Sequence, residues 1–314
     1  MTQFKQRLLR RRTVQLLDRM NMRAGWICVG LPLALTACQS AVLDPRGPVA
    51  QADKTILVDS LAIMLAIVVP TVIATLGIAW WFRASNKRAR YLPDWSFSGR
   101  IELVVWAIPT MVIILLGGVT WIGAHVLDPA KPLPSTMPAL DIDVVSLDWK
   151  WLFIYRNARV ASVNQLVVPT GVPLHFSLTS ASVMNTFFVP QLGSMIYTMN
   201  GMVTELHLRA DEPGTFRGIS GHYSGEGFSD MHFDVRAVSA EQFAAWVNST
   251  RGPGPVLDAA NYAALARQSI DVPATTFRSV DPELFRKIVL LQLAPGPGAA
   301  TEHAGAGQSL VTEH

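Results

Sequence analysis

Residues 61–81 read LAIMLAIVVPTVIATLGIAWW, twenty-one residues without a charge, closed by a pair of tryptophans. Such a run is long enough for a helix to cross a hydrocarbon core of ~30 Å, and tryptophan suits the membrane–water interface. A second apolar run occupies residues 103–126, with Trp106 and Trp121 towards its ends. Pro70 and Pro109 lie inside these runs, where a membrane helix tolerates a kink. The connecting loop at 82–100 holds Arg83, Lys87, Arg88, Arg90 and Arg100 against Asp94 alone. Basic loops stay on the cytoplasmic side, so both outer ends of a transmembrane hairpin at 56–126 are expected to face the periplasm.

Composition agrees with membrane insertion. Half of the 314 residues are hydrophobic and only 16% are charged, against about a quarter in soluble domains. The formal charge of +3 is carried by the N-terminus, where residues 1–37 hold seven basic side chains and one acid, Asp18. The remainder is mildly acidic, so the balance gives no support for nucleic-acid binding. Cys28 and Cys38 are the only cysteines. The rest of the chain can therefore form neither an internal disulfide nor a cysteine-based metal site.

The basic N-terminus runs into the short apolar segment 24–37 and then Cys38. A basic region, a short apolar core and small residues before a cleavage point make an export signal, and fourteen residues are too few to span a bilayer. Leu35-Thr36-Ala37-Cys38 resembles a bacterial lipobox. Residues 1–37 are thus expected to be a lipoprotein signal peptide, Cys38 the lipidated residue that holds membrane lipid, and 38–55 a periplasmic segment. The bland alternative is an ordinary signal followed by a buried cysteine.

Beyond the hairpin the pattern changes period. Alternation of polar and apolar side chains is clearest at 231–238 and 204–209, and strands are also expected at 141–147, 152–155, 166–168 and 174–178. Spacing of this kind predicts an antiparallel β-sandwich over 127–238. Ser239-Ala240-Glu241-Gln242 has the form of a capping box that opens a helix, with Phe243, Trp246 and Val247 facing the sandwich. Further short helices are expected at 261–268 and 282–293, making 239–293 a C-terminal helical arm. The Gly- and Ala-rich tail at 294–314 is expected to be disordered.

Four local patterns, in order, resemble subunit II of haem–copper oxidases over about residues 56–293. Glu102-Leu103-Val104-Val105-Trp106-Ala107-Ile108-Pro109 is similar to the family's Glu-x-x-x-Trp-x-x-Pro signature. Asp148-Trp149-Lys150-Trp151 resembles its Trp-x-Trp strand. Residues 183–190 resemble the strand, and 218–231 the loop, that supply its copper ligands. The resemblance implies a membrane-anchored α+β fold, a two-helix hairpin followed by a cupredoxin-like sandwich.

In the cytochrome c oxidase branch of this family, two thiolates, two imidazoles, a thioether and a backbone carbonyl hold a binuclear copper centre. Carried over position by position, the imidazoles fall on Asn185 and Phe228, the thiolates on Ser220 and Ser224, the carbonyl on His222 and the thioether on Met231. A serine hydroxyl is not ionised near neutral pH and phenylalanine has no lone pair, so four of the five side-chain donors are gone and only the Met231 thioether remains of the soft donors that copper takes. No metal is expected on the chain. The loop instead resembles the quinol oxidase branch, whose electrons come from a lipid-soluble quinol.

The resemblance then implies subunit II of a terminal oxidase that couples ubiquinol oxidation to oxygen reduction and proton translocation. It binds no cofactor and has no catalytic residue of its own. Haem and copper are expected in oxidase subunit I, its partner together with smaller membrane subunits, and quinol is bound by the complex. Location in the bacterial inner membrane, with the sandwich in the periplasm, follows. Glu102 reads either as a solvated interface carboxylate or, by the resemblance, as the entrance of a proton pathway. The alternatives are a copper-binding cytochrome c oxidase subunit II and a stand-alone cupredoxin-like lipoprotein. His207 and His232 occupy polar strand phases and are expected to face solvent, and Met195, Met199 and Met202 are expected to fill irregular core space.

Overall fold

The computed structural model describes residues 41–90 and 92–293. From Pro45 onward the chain forms one compact unit, and before it Ala41–Leu43 make a single 3₁₀ turn. The readings of the leader at 1–37, of Cys38 and of the tail at 294–314 lie outside the described residues.

Helix α1 (Pro48–Trp81) has 34 residues, well beyond the apolar run, because its first turns stand in the sandwich. Pro48 begins it at a position where a missing N–H costs nothing. The Ala50 amide, which has no partner inside its own helix, donates to the Leu192 carbonyl at 3.2 Å, and Arg46 N–H donates to the Gln191 carbonyl at 2.7 Å. Val49 and Ala50 are buried there, and Ser194 Oγ donates to Asp53 at 3.1 Å. Helix α2 (Gly99–Val126) returns to the same side, and just beyond it the Pro129 carbonyl accepts from His207 N–H at 2.9 Å. The two helices are long and apolar enough to cross a membrane, and their most apolar stretches are not buried within the chain.

The sandwich comprises β1 (Leu140–Leu147), β2 (Lys150–Tyr155), β3 (Val160–Val163), β4 (Gln165–Pro169), β5 (Leu174–Ser180), β6 (Asn185–Phe188), β7 (Ile196–Thr198), β8 (Thr204–Leu208), β9 (Gly214–Ser220) and β10 (His232–Val238). Three short strands of the arm follow, β11 (Val256–Leu257), β12 (Thr275–Phe277) and β13 (Ser279–Val280). One sheet has the order β12-β3-β2-β1-β5-β8 and the other β4-β10-β9-β6-β7.

The cupredoxin-like sandwich is present, with one correction: its sheets are mixed rather than wholly antiparallel. Strand β1 pairs parallel with β5, and β4 pairs parallel with β10. Alternation within a strand tells which face is buried but carries nothing about the direction of a neighbour reached through a long connection. Between the sheets lie Trp151, Phe153, Phe176, Phe187 and Phe233. Phe187 and Phe233 stack with centroids 5.1 Å apart, and Trp151 meets Phe187 edge-on at 5.5 Å. Tyr155 crosses this core: its hydroxyl donates to the Val167 carbonyl at 2.9 Å and accepts from Val167 N–H at 2.8 Å, joining β2 to β4.

The capping box of α3 (Ala240–Thr250) forms as read, with Ser239 Oγ accepting from Gln242 N–H and Gln242 Oε1 accepting from Ser239 N–H. Trp246 and Phe243 lie against Tyr155, at centroid distances of 5.0 and 6.1 Å. Helices α4 (Ala259–Leu265) and α5 (Leu284–Val289) are shorter than expected, and the arm is only partly helical, since β12 adds to the edge of the first sheet beside β3. The arm covers the outer face of that sheet. Leu257, Tyr262, Phe277, Val280, Leu284 and Ile288 make a second core with Val145, Leu147, Leu152, Ile154, Ala161 and Val163.

Candidate functional site

Strand β6 begins at Asn185 and β9 ends at Ser220, neighbours in one sheet. Both side chains are buried, and Ser220 Oγ donates to Asn185 Oδ1 at 3.1 Å. The loop that follows β9 folds back over this pair. Ser220 N–H donates to the Met231 carbonyl at 3.2 Å and Gly221 N–H to the Thr186 carbonyl at 3.1 Å. Met231, 2% exposed, lies beneath Ser224, whose hydroxyl points at its Sδ at 3.9 Å. Phe228 opens the 3₁₀ turn Phe228–Asp230, and its carbonyl accepts from Met231 N–H at 3.1 Å. The His222 carbonyl lies 3.4 Å from Ser220 Oγ. Hydrogen bonds thus join Asn185, Ser220 and the His222 carbonyl, and Ser224 meets Met231, while the Phe228 ring packs on Tyr223.

Trp149 shapes this loop from outside. It sits in the turn between β1 and β2 at φ 63°, a left-handed conformation that costs a residue with a Cβ about 1–3 kcal/mol. Its ring lies flat against Gly227, where an added Cβ would be 2.5 Å from Cδ2, and its Nε1–H donates to the Ser224 carbonyl at 2.9 Å. Glycine at 227 is therefore a requirement of close approach.

The donor set does not fit a binuclear copper centre. Asn185 and Ser220 satisfy each other, Ser224 supplies a neutral hydroxyl, and Phe228 donates nothing, leaving a single thioether. Two thiolates and two imidazoles would be needed to neutralise and hold the metals. Among the described residues, no group of three or more His, Cys, Asp or Glu side chains is placed to hold a metal ion.

Other sequence readings resolve differently. His207 and His232 do not face open solvent: both are half-buried and their Nδ1 atoms are enclosed without a partner. The strand phase was right, but neighbouring groups cover it. His207 stacks on His175 at 4.7 Å and lines a cavity of about 280 Å³ where the hairpin meets the sandwich. Burial, then the proximity of His175, lowers its pKa. Met195 and Met202 do not fill the core but are 55% and 53% exposed, one just before and one just after β7, the edge strand of its sheet. Glu102 lies in the first turn of α2, exposed beside Phe97, Trp106 and Thr110.

A hairpin of apolar helices that carries a cupredoxin-like domain defines the class. Residues 141–238 match the family described as cytochrome c oxidase subunit II, periplasmic domain, and 253–296 match the COX aromatic-rich motif. The chain is 45% identical over 293 residues to a protein of Pseudomonas aeruginosa named cytochrome bo(3) ubiquinol oxidase subunit 2, covering 92% of this chain and 88% of that one. It is 48% identical over 260 residues to the ubiquinol oxidase subunit 2 of Acetobacter aceti, covering 82% and 84%. With the quinol oxidase subunit 2 of Bacillus cereus it shares 34% identity over 268 residues, covering 83% and 92%. The chain belongs to the subunit II family of haem–copper oxidases, on the side of its quinol-oxidising members.

Proposed function

We propose that this chain is subunit II of a terminal ubiquinol oxidase in the inner membrane, a complex that reduces oxygen to water and translocates protons. The observation that carries the reading is the side-chain set at the positions carried over from the copper-binding branch, where Asn185 and Ser220 bond to each other, the Ser224 hydroxyl meets the Met231 thioether and Phe228 offers no donor atom. An enzyme that takes electrons from a quinol inside the membrane has no use for a copper relay facing water. Haem, copper and the quinol site then belong to subunit I, and this chain is non-catalytic. Its work is anchoring, assembly and, at Glu102, proton uptake from the cytoplasm. Residues 1–37 are removed on export, Cys38 carries lipid, and the sandwich stands in the periplasm.

The test is metal analysis of the purified complex and of this chain separated from it. Haem and copper are expected with subunit I only, and the near-infrared absorption of a mixed-valence copper pair should be absent. Stoichiometric copper on this chain would sink the proposal. For the proton role, Glu102→Gln should slow oxidase turnover about a hundredfold, the lower end of what a positioned proton-transfer group contributes. The assembled complex should keep its haem content. Unchanged turnover and proton uptake would return Glu102 to a solvated interface position.

A further inference from the structure

The connection between the two spans is more than a polar link. Beyond the interfacial pair Trp80 and Trp81, Phe82, Leu92, Trp95 and Phe97 are each between 53% and 68% exposed. A water-facing loop rarely shows so much apolar surface unless something covers it. The same segment carries Arg83, Lys87, Arg88 and Arg90. Aromatic and basic groups meet in an open cavity of about 1020 Å³, walled by Trp81, Leu92 and Trp95 and by Arg83, Arg88 and Arg90. No carboxylate is among the described residues that line it.

The basic side is held in place by the chain itself. The Arg83 guanidinium lies 4.5 Å from the centre of the Trp80 ring, Nη1 donates to the Trp80 carbonyl at 2.8 Å, and Nε donates to Ser85 Oγ at 3.1 Å. Asn86 Nδ2 donates to the Trp81 carbonyl at 2.6 Å, while its Oδ1 accepts from Arg88 N–H at 3.1 Å. The last turn of α1 thus fixes the start of the loop, and the cavity opens beside the tryptophans that mark the edge of the hydrocarbon.

We propose that this cavity binds the headgroup of an anionic phospholipid of the adjoining leaflet, with the three arginines on its phosphate and the apolar wall against its glycerol and upper acyl chain. Arginine forks suit phosphate oxygens. With no carboxylate among the described lining residues, the cavity is positively charged, which favours an anionic lipid over a zwitterionic one. A soluble phosphate would use the arginines but not the apolar wall. The inference rests on the two spans crossing a bilayer and not on the chemistry of the oxidase.

The experiment is native mass spectrometry of the detergent-purified complex, with phosphatidylglycerol and phosphatidylcholine of matched acyl chains added in competition. Phosphatidylglycerol should be retained preferentially. The double substitution Arg88→Gln, Arg90→Gln should weaken its retention about thirtyfold, since each basic side chain near an anionic surface strengthens binding about fivefold. Haem content reports assembly. If the glutamine pair does not assemble, Arg88→Lys with Arg90→Lys decides the matter, because it keeps every charge but loses the planar forks and should weaken retention several-fold. Equal retention of both lipids overturns the proposal, as does unchanged phosphatidylglycerol in the variants that assemble. So does displacement by inorganic phosphate alone.

Discussion

Lys150 lies between the half-buried Trp149 and the core residue Trp151, and at 1% exposure it is almost as buried as Trp151. Its Nζ donates to the Arg267 carbonyl at 2.7 Å, to Ser269 Oγ at 2.6 Å and to the Asp148 carbonyl at 3.2 Å. Strand alternation correctly points it away from Trp151, but the face it reaches is covered by the arm. Burial lowers its pKa to about 8, against 10.5 for a free lysine. Between those values the folded chain has released the proton while the unfolded chain still holds it, so this residue makes stability rise with pH across that window. Above pH 10 the buried phenols of Tyr155 and Tyr262, whose pKa values burial raises, act the other way, because they ionise only on unfolding. Thermal unfolding of the purified full chain in detergent, followed from about pH 7 to pH 9.5, should therefore show a rise that Lys150→Met flattens. An identical slope in both proteins would mean that other groups set the trend.

At the scale of elements, the arm decides how the sandwich is read. Strands β1 and β2 are buried on both faces, Val144 and Phe153 towards the other sheet and Val145 and Leu152 towards the arm. This is why 141–147 and 152–155 show weaker alternation than 231–238, where β10 leaves Asp234 and Arg236 exposed. Val145, Leu147, Leu152 and Val163 are at most 1% exposed, and each such side chain contributes about 1.5–3 kcal/mol by being buried. Their sum is of the order of a domain's whole net stability, about 5–15 kcal/mol. A chain ending at Thr250 should accordingly fail to keep a protease-resistant sandwich in isolated membranes. Survival of that fragment would show the arm to be an ornament on a self-sufficient domain.

For the whole molecule, the proposed lipid anchor would be redundant. The hairpin is keyed to the sandwich through Arg46, Ala50 and Asp53, so the domain would stay at the membrane without the lipid proposed for Cys38. Cys38→Ala should abolish metabolic labelling with lipid yet leave the chain in the membrane fraction after carbonate washing, since one or two acyl chains bind far less firmly than transmembrane helices. Release of the variant into the periplasmic fraction would mean that the apolar helices do not span the bilayer.

Sequence alone determined the spans and their basic loop, because crossing a bilayer demands uninterrupted apolar length. It determined the α3 cap, a local exchange of hydrogen bonds, and the lack of thiolates and imidazoles at the positions carried over for them from the copper-binding branch, which is a matter of residue type. The strands with one solvated face were also legible. Tertiary structure alone decided the parallel pairings β1·β5 and β4·β10, the second core under the arm and the burial of Lys150. It alone showed that Asn185 and Ser220 close on each other and that Met195 and Met202 stand exposed at a sheet edge. Each of these depends on what a distant segment brings to a face, and a pattern within one strand records only that the face exists.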